Sequence, residues 1–153
     1  MPEIESQPRY PMERLDANIR QWFLDAQNDA NRRGGQYLTT GLILTAAARS
    51  KTVFAERLLA TLGLRSSAQL EEIFDAEWAS SRPFFHDEPV TAVKESILRS
   101  ADEEEASRLV NPEVFVATMF EFPTGMASKM VKRLGLDPSD VSRRLRTSST
   151  SDP

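Results

Sequence analysis

Apolar residues return at three- and four-residue steps through most of the chain, a spacing that predicts one helix after another. Ile19, Trp22, Phe23, Ala26 and Ala30 make a single stripe over residues 16–33, and Gly34-Gly35 stops it. A second, short helix begins at a cap on Thr39 or Thr40 and runs through Ala48. The third starts near Thr52, carries Phe54, Leu58, Leu59 and Leu62, and ends at Gly63. Ser66 with Gln69 forms a capping-box pattern for a fourth, which uses Leu70, Ile73 and Phe74. A loop over about 80–87 holds the pair Phe84-Phe85, and only short stretches around Phe84 read as strand.

The second half follows the same plan. A long helix from Pro89 to Arg108 places Val93, Ile97 and Ala101 on one face. Asn111-Pro112-Glu113 combines an Asn cap, a proline whose missing N–H costs nothing there, and a carboxylate at the positive helix end. Thr124 to Leu134 is the next helix, stopped by Gly135, and Asp137-Pro138 opens the last, through about Leu145. Residues 1–12, with three prolines, and 147–153 read as disordered tails.

A gap-free shift of 72 residues lays one half on the other. Leu38 meets Val110, Ile43 meets Phe115, Leu44 meets Val116, Ala55 meets Ala127 and Leu58 meets Met130. Leu62-Gly63-Leu64 falls on Leu134-Gly135-Leu136, and Ile73 on Leu145. The first helices align after slipping one residue. The expected fold is therefore all-α, with eight helices in two pseudo-symmetric four-helix repeats, about 13–79 and 88–146. Each unit is too small to close its own core, so the two press their apolar faces together.

Composition narrows the chemistry. The 153 residues include no cysteine and one histidine, His86, which removes thiolate nucleophiles, Cys-type zinc sites and His-rich metal sites. With 19 basic against 23 acidic residues the net charge is −4, which argues against a nucleic-acid binder working by charge. The longest apolar run, Leu42 to Ala48 broken by Thr45, falls far short of the roughly 20 residues of a membrane span. The opening Met1-Pro2-Glu3-Ile4-Glu5-Ser6 lacks a basic region followed by an apolar stretch, so a cytoplasmic protein is expected.

The duplicated pattern resembles the N-terminal repeat domain of Clp/Hsp100 chaperones, as in ClpA, ClpB and ClpC. In that family each repeat has an Ala-rich first helix, a Gly-Thr-Glu-His-Ile-Leu-Leu segment and a helix ending Leu-Gly. Here the first repeat has Ala26 to Gly34, then Leu38-Thr39-Thr40-Gly41-Leu42-Ile43-Leu44, then Ala55 to Leu62-Gly63-Leu64. The second has Val110-Asn111-Pro112-Glu113-Val114-Phe115-Val116, then Ala127 to Leu134-Gly135-Leu136. The likeness spans roughly residues 13–146. It implies a protein-binding module, and because the chain has no Gly-x-x-x-x-Gly-Lys-[Ser/Thr] sequence, one without the family's ATPase motor. It also implies protein partners: Clp substrates, adaptors or Clp subunits, including phosphoarginine-bearing proteins, with neither cofactor nor membrane. Two family glutamates are associated with the phosphoarginine guanidinium. Gly41-Leu42 replaces the Glu-His pair in the first repeat, whereas the second keeps Glu113 beside Val114.

The candidate binding residues are accordingly Glu113, Phe84, Phe85, Phe122 and Thr40. Glu113 reads either as a carboxylate stabilising a helix start or as a bidentate partner for a ligand arginine. Phe84, Phe85, Phe120 and Phe122 either cover the core where the repeats meet or expose aromatic anchors to a partner. The run Asp102-Glu103-Glu104-Glu105 reads as a solvated face, with room for a basic partner. His86-Asp87 beside Ser80-Ser81 has no nucleophile-elbow motif to make it a hydrolase triad. The basic residues around Lys129, Lys132, Arg133, Arg143, Arg144 and Arg146 suit helix C-termini, without the interleaved aromatics of a nucleic-acid groove.

Overall fold

The computed structural model describes residues 14–33, 39–81, 88–103, 109–123 and 125–150. Eight helices follow one another: α1 (Ala17–Arg32), α2 (Thr40–Arg49), α3 (Val53–Thr61), α4 (Ser67–Ser81), α5 (Glu88–Glu103), α6 (Pro112–Met119), α7 (Met126–Arg133) and α8 (Pro138–Thr150). No strand occurs among the described residues; an isolated parallel bridge joins Leu15 to Val110. No helix among them is long and apolar enough to cross a membrane.

Local chemistry sets the helix starts. Asp16 accepts from the Ile19 N–H at 2.9 Å, Thr39 from Leu42 at 3.2 Å, Thr52 from Ala55 at 3.1 Å and Asn111 from Val114 at 2.9 Å. Each takes up one donor that the first helical turn leaves without a partner. At α4 the glutamine reaches back one residue further than a capping box requires: Gln69 Oε1 accepts from the Arg65 N–H at 2.6 Å, not from Ser66.

The stops at Gly63 and Gly135 are the same device. Both glycines have positive φ, 74° and 79°. Leu64 N–H donates to the Leu59 carbonyl and Gly63 N–H to Ala60; 72 residues on, Leu136 donates to Val131 and Gly135 to Lys132. This is the Schellman pattern, and the leucine after each glycine packs onto the core as that motif favours.

Helix α2 is the axle of the packing. Every residue from Thr40 to Ala48 is buried, on all sides of the helix. It touches α1, α3 and α4 of its own half and α5 and α7 of the other. Cross-packing is reciprocal elsewhere: α3 lies against α8, and α7 against α4. Phe23 of α1 meets Phe115 of α6 with ring centroids 5.8 Å apart. One apolar cluster results, running from Leu15 to Leu145.

Two expected boundaries move, and a third, the end of α5 at Arg108, lies outside the described residues. Helix α7 starts at Met126, two residues later than expected, with Gly125 at its cap; Thr124 lies outside the described residues. Helix α5 is described to Glu103, and residues 104–108 lie outside the description. The last helix continues to Thr150, so the segment from Thr147 begins as helix and not as tail. Arg146 anchors that final stretch, bonding Glu103 of α5 and Glu121 after α6, and Thr147 donates to the Arg143 carbonyl at 2.9 Å.

Because a Cβ at Gly63 or Gly135 meets no atom within 4 Å, the backbone conformation alone governs substitution there. Gly63→Ala and Gly135→Ala are each expected to cost about 1 kcal/mol in urea unfolding, by nearly equal amounts.

Candidate binding site

The sequence-derived candidates divide into two places and a remainder. Phe84 and Phe85 lie outside the described residues, as do His86 and Asp87. Glu113 and Thr40 sit on the seam between the halves. Phe122 sits apart, after α6.

Glu113 occupies the first turn of α6, and its side chain is 14% exposed. Its Oε1 accepts from Nη1 of Arg57 on α3 at 3.2 Å. An arginine of the chain itself therefore already occupies the position a ligand guanidinium would take on that oxygen. Both readings of Glu113 meet here: it stands at the positive end of α6 and it pairs with a guanidinium, but an internal one.

Position 41, which the 72-residue shift aligns with Glu113, is closed. A Cβ on Gly41 would fall 2.5 Å from Met126 Sδ and 2.7 Å from its Cγ. Glycine leaves room here for the Met126 side chain, which would have to shift to admit any larger residue. Met126 also accepts a hydrogen bond from Thr39 Oγ1 at 3.4 Å.

Thr40 is fully buried, and its hydroxyl accepts from the Ala127 backbone N–H at 2.9 Å. Helix α7 has glycine at its N-cap and no side-chain cap bond of its own. Thr40 supplies that bond from the other half of the molecule, which makes it a fastening across the seam and takes it out of reach of a ligand in solvent.

Phe122 is half-buried, with the Arg99 guanidinium stacked on its ring 4.8 Å from the centroid. Arg99 also lies 4.0 Å from Glu121, and Arg146 joins Glu121 to Glu103. Hydrogen bonding to Glu103, reinforced by Glu121, holds the Arg146 pKa above its usual value against the opposing effect of burial. The acidic run is thus partly engaged: Glu103 ties α5 to α8, while Glu104 and Glu105 lie outside the described residues. Phe120, the fourth ring, is 2% exposed and belongs to the core.

Among the described residues, the large apolar side chains most exposed to solvent are aliphatic: Leu24, Val53 and Leu109. Val53, 67% exposed, borders an open hollow of about 400 Å³ between the end of α2 and the start of α3, with Lys51, Glu56 and Leu59. No sequence signal separates Leu24 or Val53 from their buried neighbours except their place opposite the apolar stripe. Arg57 and Met126 were equally hidden as site residues, since their partners lie 56 and 85 positions away in the chain. No group of three or more His, Asp or Glu side chains able to hold a metal ion occurs among the described residues.

Two substitutions test the seam. Thr40→Val, which keeps the shape and removes the acceptor, is expected to cost about 1–2 kcal/mol in thermal or urea unfolding, while Thr40→Ser retains most of the stability. Gly41→Ala is expected to destabilise strongly in the parent and much less in a Met126→Ala background, a coupling of about 1 kcal/mol or more in a double-mutant cycle. Set against known proteins, the chain matches no protein-family model and no curated sequence.

Proposed function

We propose that this chain is a non-enzymatic protein-recognition module, built as two tandem four-helix repeats in the manner of a Clp N-domain. It acts in the cytoplasm as an adaptor, decoy or regulator of Clp-dependent proteolysis. The observation that carries the reading is the pairing of duplicated details with reciprocal packing. The two Schellman stops stand 72 residues apart, as do the Thr39 and Asn111 caps. The third helix of each half lies against the fourth of the other. Shared local chemistry at a fixed interval, joined by a two-way exchange of contacts, is the arrangement expected of a duplicated unit whose halves complete each other's core. A docking body of this kind engages partners according to affinity and concentration.

A second reading has its own observation. Arg57 on Glu113 and Met126 against Gly41 occupy both positions that the family resemblance associates with a guanidinium ligand. That favours a module working outside Clp proteolysis, its ancestral ligand site filled from within. A phosphoarginine ligand would have to displace Arg57 from Glu113.

Affinity capture from a bacterial lysate with the full chain as bait separates the two. Recovery of Clp ATPase or protease subunits, Clp adaptors or arginine-phosphorylated proteins is the outcome expected for the first reading. Recovery of a specific partner with no Clp component supports the second. A phosphoarginine peptide that binds Arg57→Ala more tightly than the parent, and binds Arg57→Ala/Glu113→Ala no better than the parent, would place any residual ligand site at Glu113.

A further inference from the structure

On the side of the molecule formed by α1, α2 and α4, charged side chains surround a buried acceptor. Asp25, Asn28 and Arg32 of α1, Arg49 of α2 and Glu71 of α4 line an open hollow of about 600 Å³. Asp29 lies on the same α1 stripe, one turn after Asp25, and is 5% exposed. Its Oδ1 accepts from Arg32 Nη2 at 3.0 Å and Arg33 Nε at 3.3 Å. Its Oδ2 is buried with no hydrogen-bond partner. Arg49 Nη1 stands 3.8 Å from that oxygen, too far for a hydrogen bond, and donates instead to Glu71 Oε1 at 3.0 Å. Arg33 cannot turn to it freely: it lies over the Phe74 and Trp78 rings and pairs with Asp75 at 2.9 Å.

The charge balance has a sign. Asp25, Asp29, Glu71 and Asp75 face Arg32, Arg33 and Arg49, so the cluster holds one carboxylate more than it has guanidiniums. Asp25 accepts only from the Gln21 side-chain amide, at 3.0 Å. A buried carboxylate oxygen without a donor is costly, and a single added cation on Glu71 would balance the charge and free Arg49 to reach that oxygen.

We propose that this hollow binds a guanidinium group. The ligand's planar fork takes Glu71 and Asp25 at the rim. Arg49, released from Glu71, then closes on Asp29 Oδ2. Ligand binding and satisfaction of the buried oxygen are the same event, which a compact ammonium reaching one carboxylate at a time achieves less well. The inference stands apart from the docking-module reading, since it rests on side chains that reading does not use.

The test is a titration of the ¹⁵N-labelled full chain with N-acetyl-L-argininamide, following the Asn28 side-chain amide and the Arg49 Nε–H by NMR. Saturable shifts at both are expected. Asp25→Asn/Glu71→Gln is expected to weaken binding by about tenfold or more while leaving the fold unchanged, because neither side chain is buried. Absence of saturable shifts, an unchanged response in the double variant, or equal affinity for N-acetyl-L-lysinamide would overturn the proposal. An alanine-flanked arginine peptide separates the sources: tighter binding than argininamide supports an arginine on a protein partner, and equal binding supports a free guanidinium compound at the same site.

Discussion

The structure depends on one constraint: α2 has no side that tolerates water. Residues 40–48 are buried all round, and a helix of 10 residues has little stability by itself. Its burial needs a complete wall, which no single half provides. Helices α1, α3 and α4 close three flanks, and α5 and α7 from the second half close the rest. Gly41, Ala46, Ala47 and Ala48 keep its surface narrow, so that the surrounding helices can approach closely. The apolar area removed from water supplies the energy, and the requirement that α2 be covered dictates that the halves be joined.

Buried charge then sets the register in which they join. Glu113 receives Arg57 across the seam, and Glu77, 6% exposed, receives Arg133 at 2.7 Å. Such pairs contribute little net stability, because desolvation offsets much of the attraction. Breaking one by a shift of register strands a carboxylate in a low-dielectric setting, and that cost runs to several kcal/mol. Thr40 adds a neutral version of the same device, since slippage would leave both its hydroxyl and the start of α7 without a partner. Area holds the halves together; polar pairs decide how.

The same accounting separates this seam from the hollow on α1, α2 and α4. Across the seam, buried acceptors meet their donors. Beside the hollow, Asp29 Oδ2 does not, although three arginines stand nearby. Each of those arginines is committed elsewhere, to Asp29 Oδ1, to Asp75 or to Glu71. The shortfall comes from divided loyalties among charged groups, and an incoming cation at the rim reverses it.

Much of the helical order was legible along the chain, because caps and stops act over a few residues. Asn111 caps as the pattern reads, Thr39 is the one of the Thr39-Thr40 pair that caps, helices start at Asp16 and Thr52 as placed, and Gly63 and Gly135 adopt the conformation that glycine tolerates best. The start of α7 was misplaced since its capping oxygen belongs to Thr40, 87 residues earlier. The end of α8 was set too early since Arg146 is anchored by Glu103 and Glu121, which no local rule anticipates. Glu113 and Thr40 were singled out by type and position, but their partners were not, and the partners decide what each can do. Helix starts, helix stops and the apolar stripes follow from the sequence by itself, through interactions within a turn or two of backbone. Which carboxylates are occupied, which rings are covered and where an acceptor is left without a donor were decided only by tertiary packing, because each depends on groups that folding brings together from distant parts of the chain.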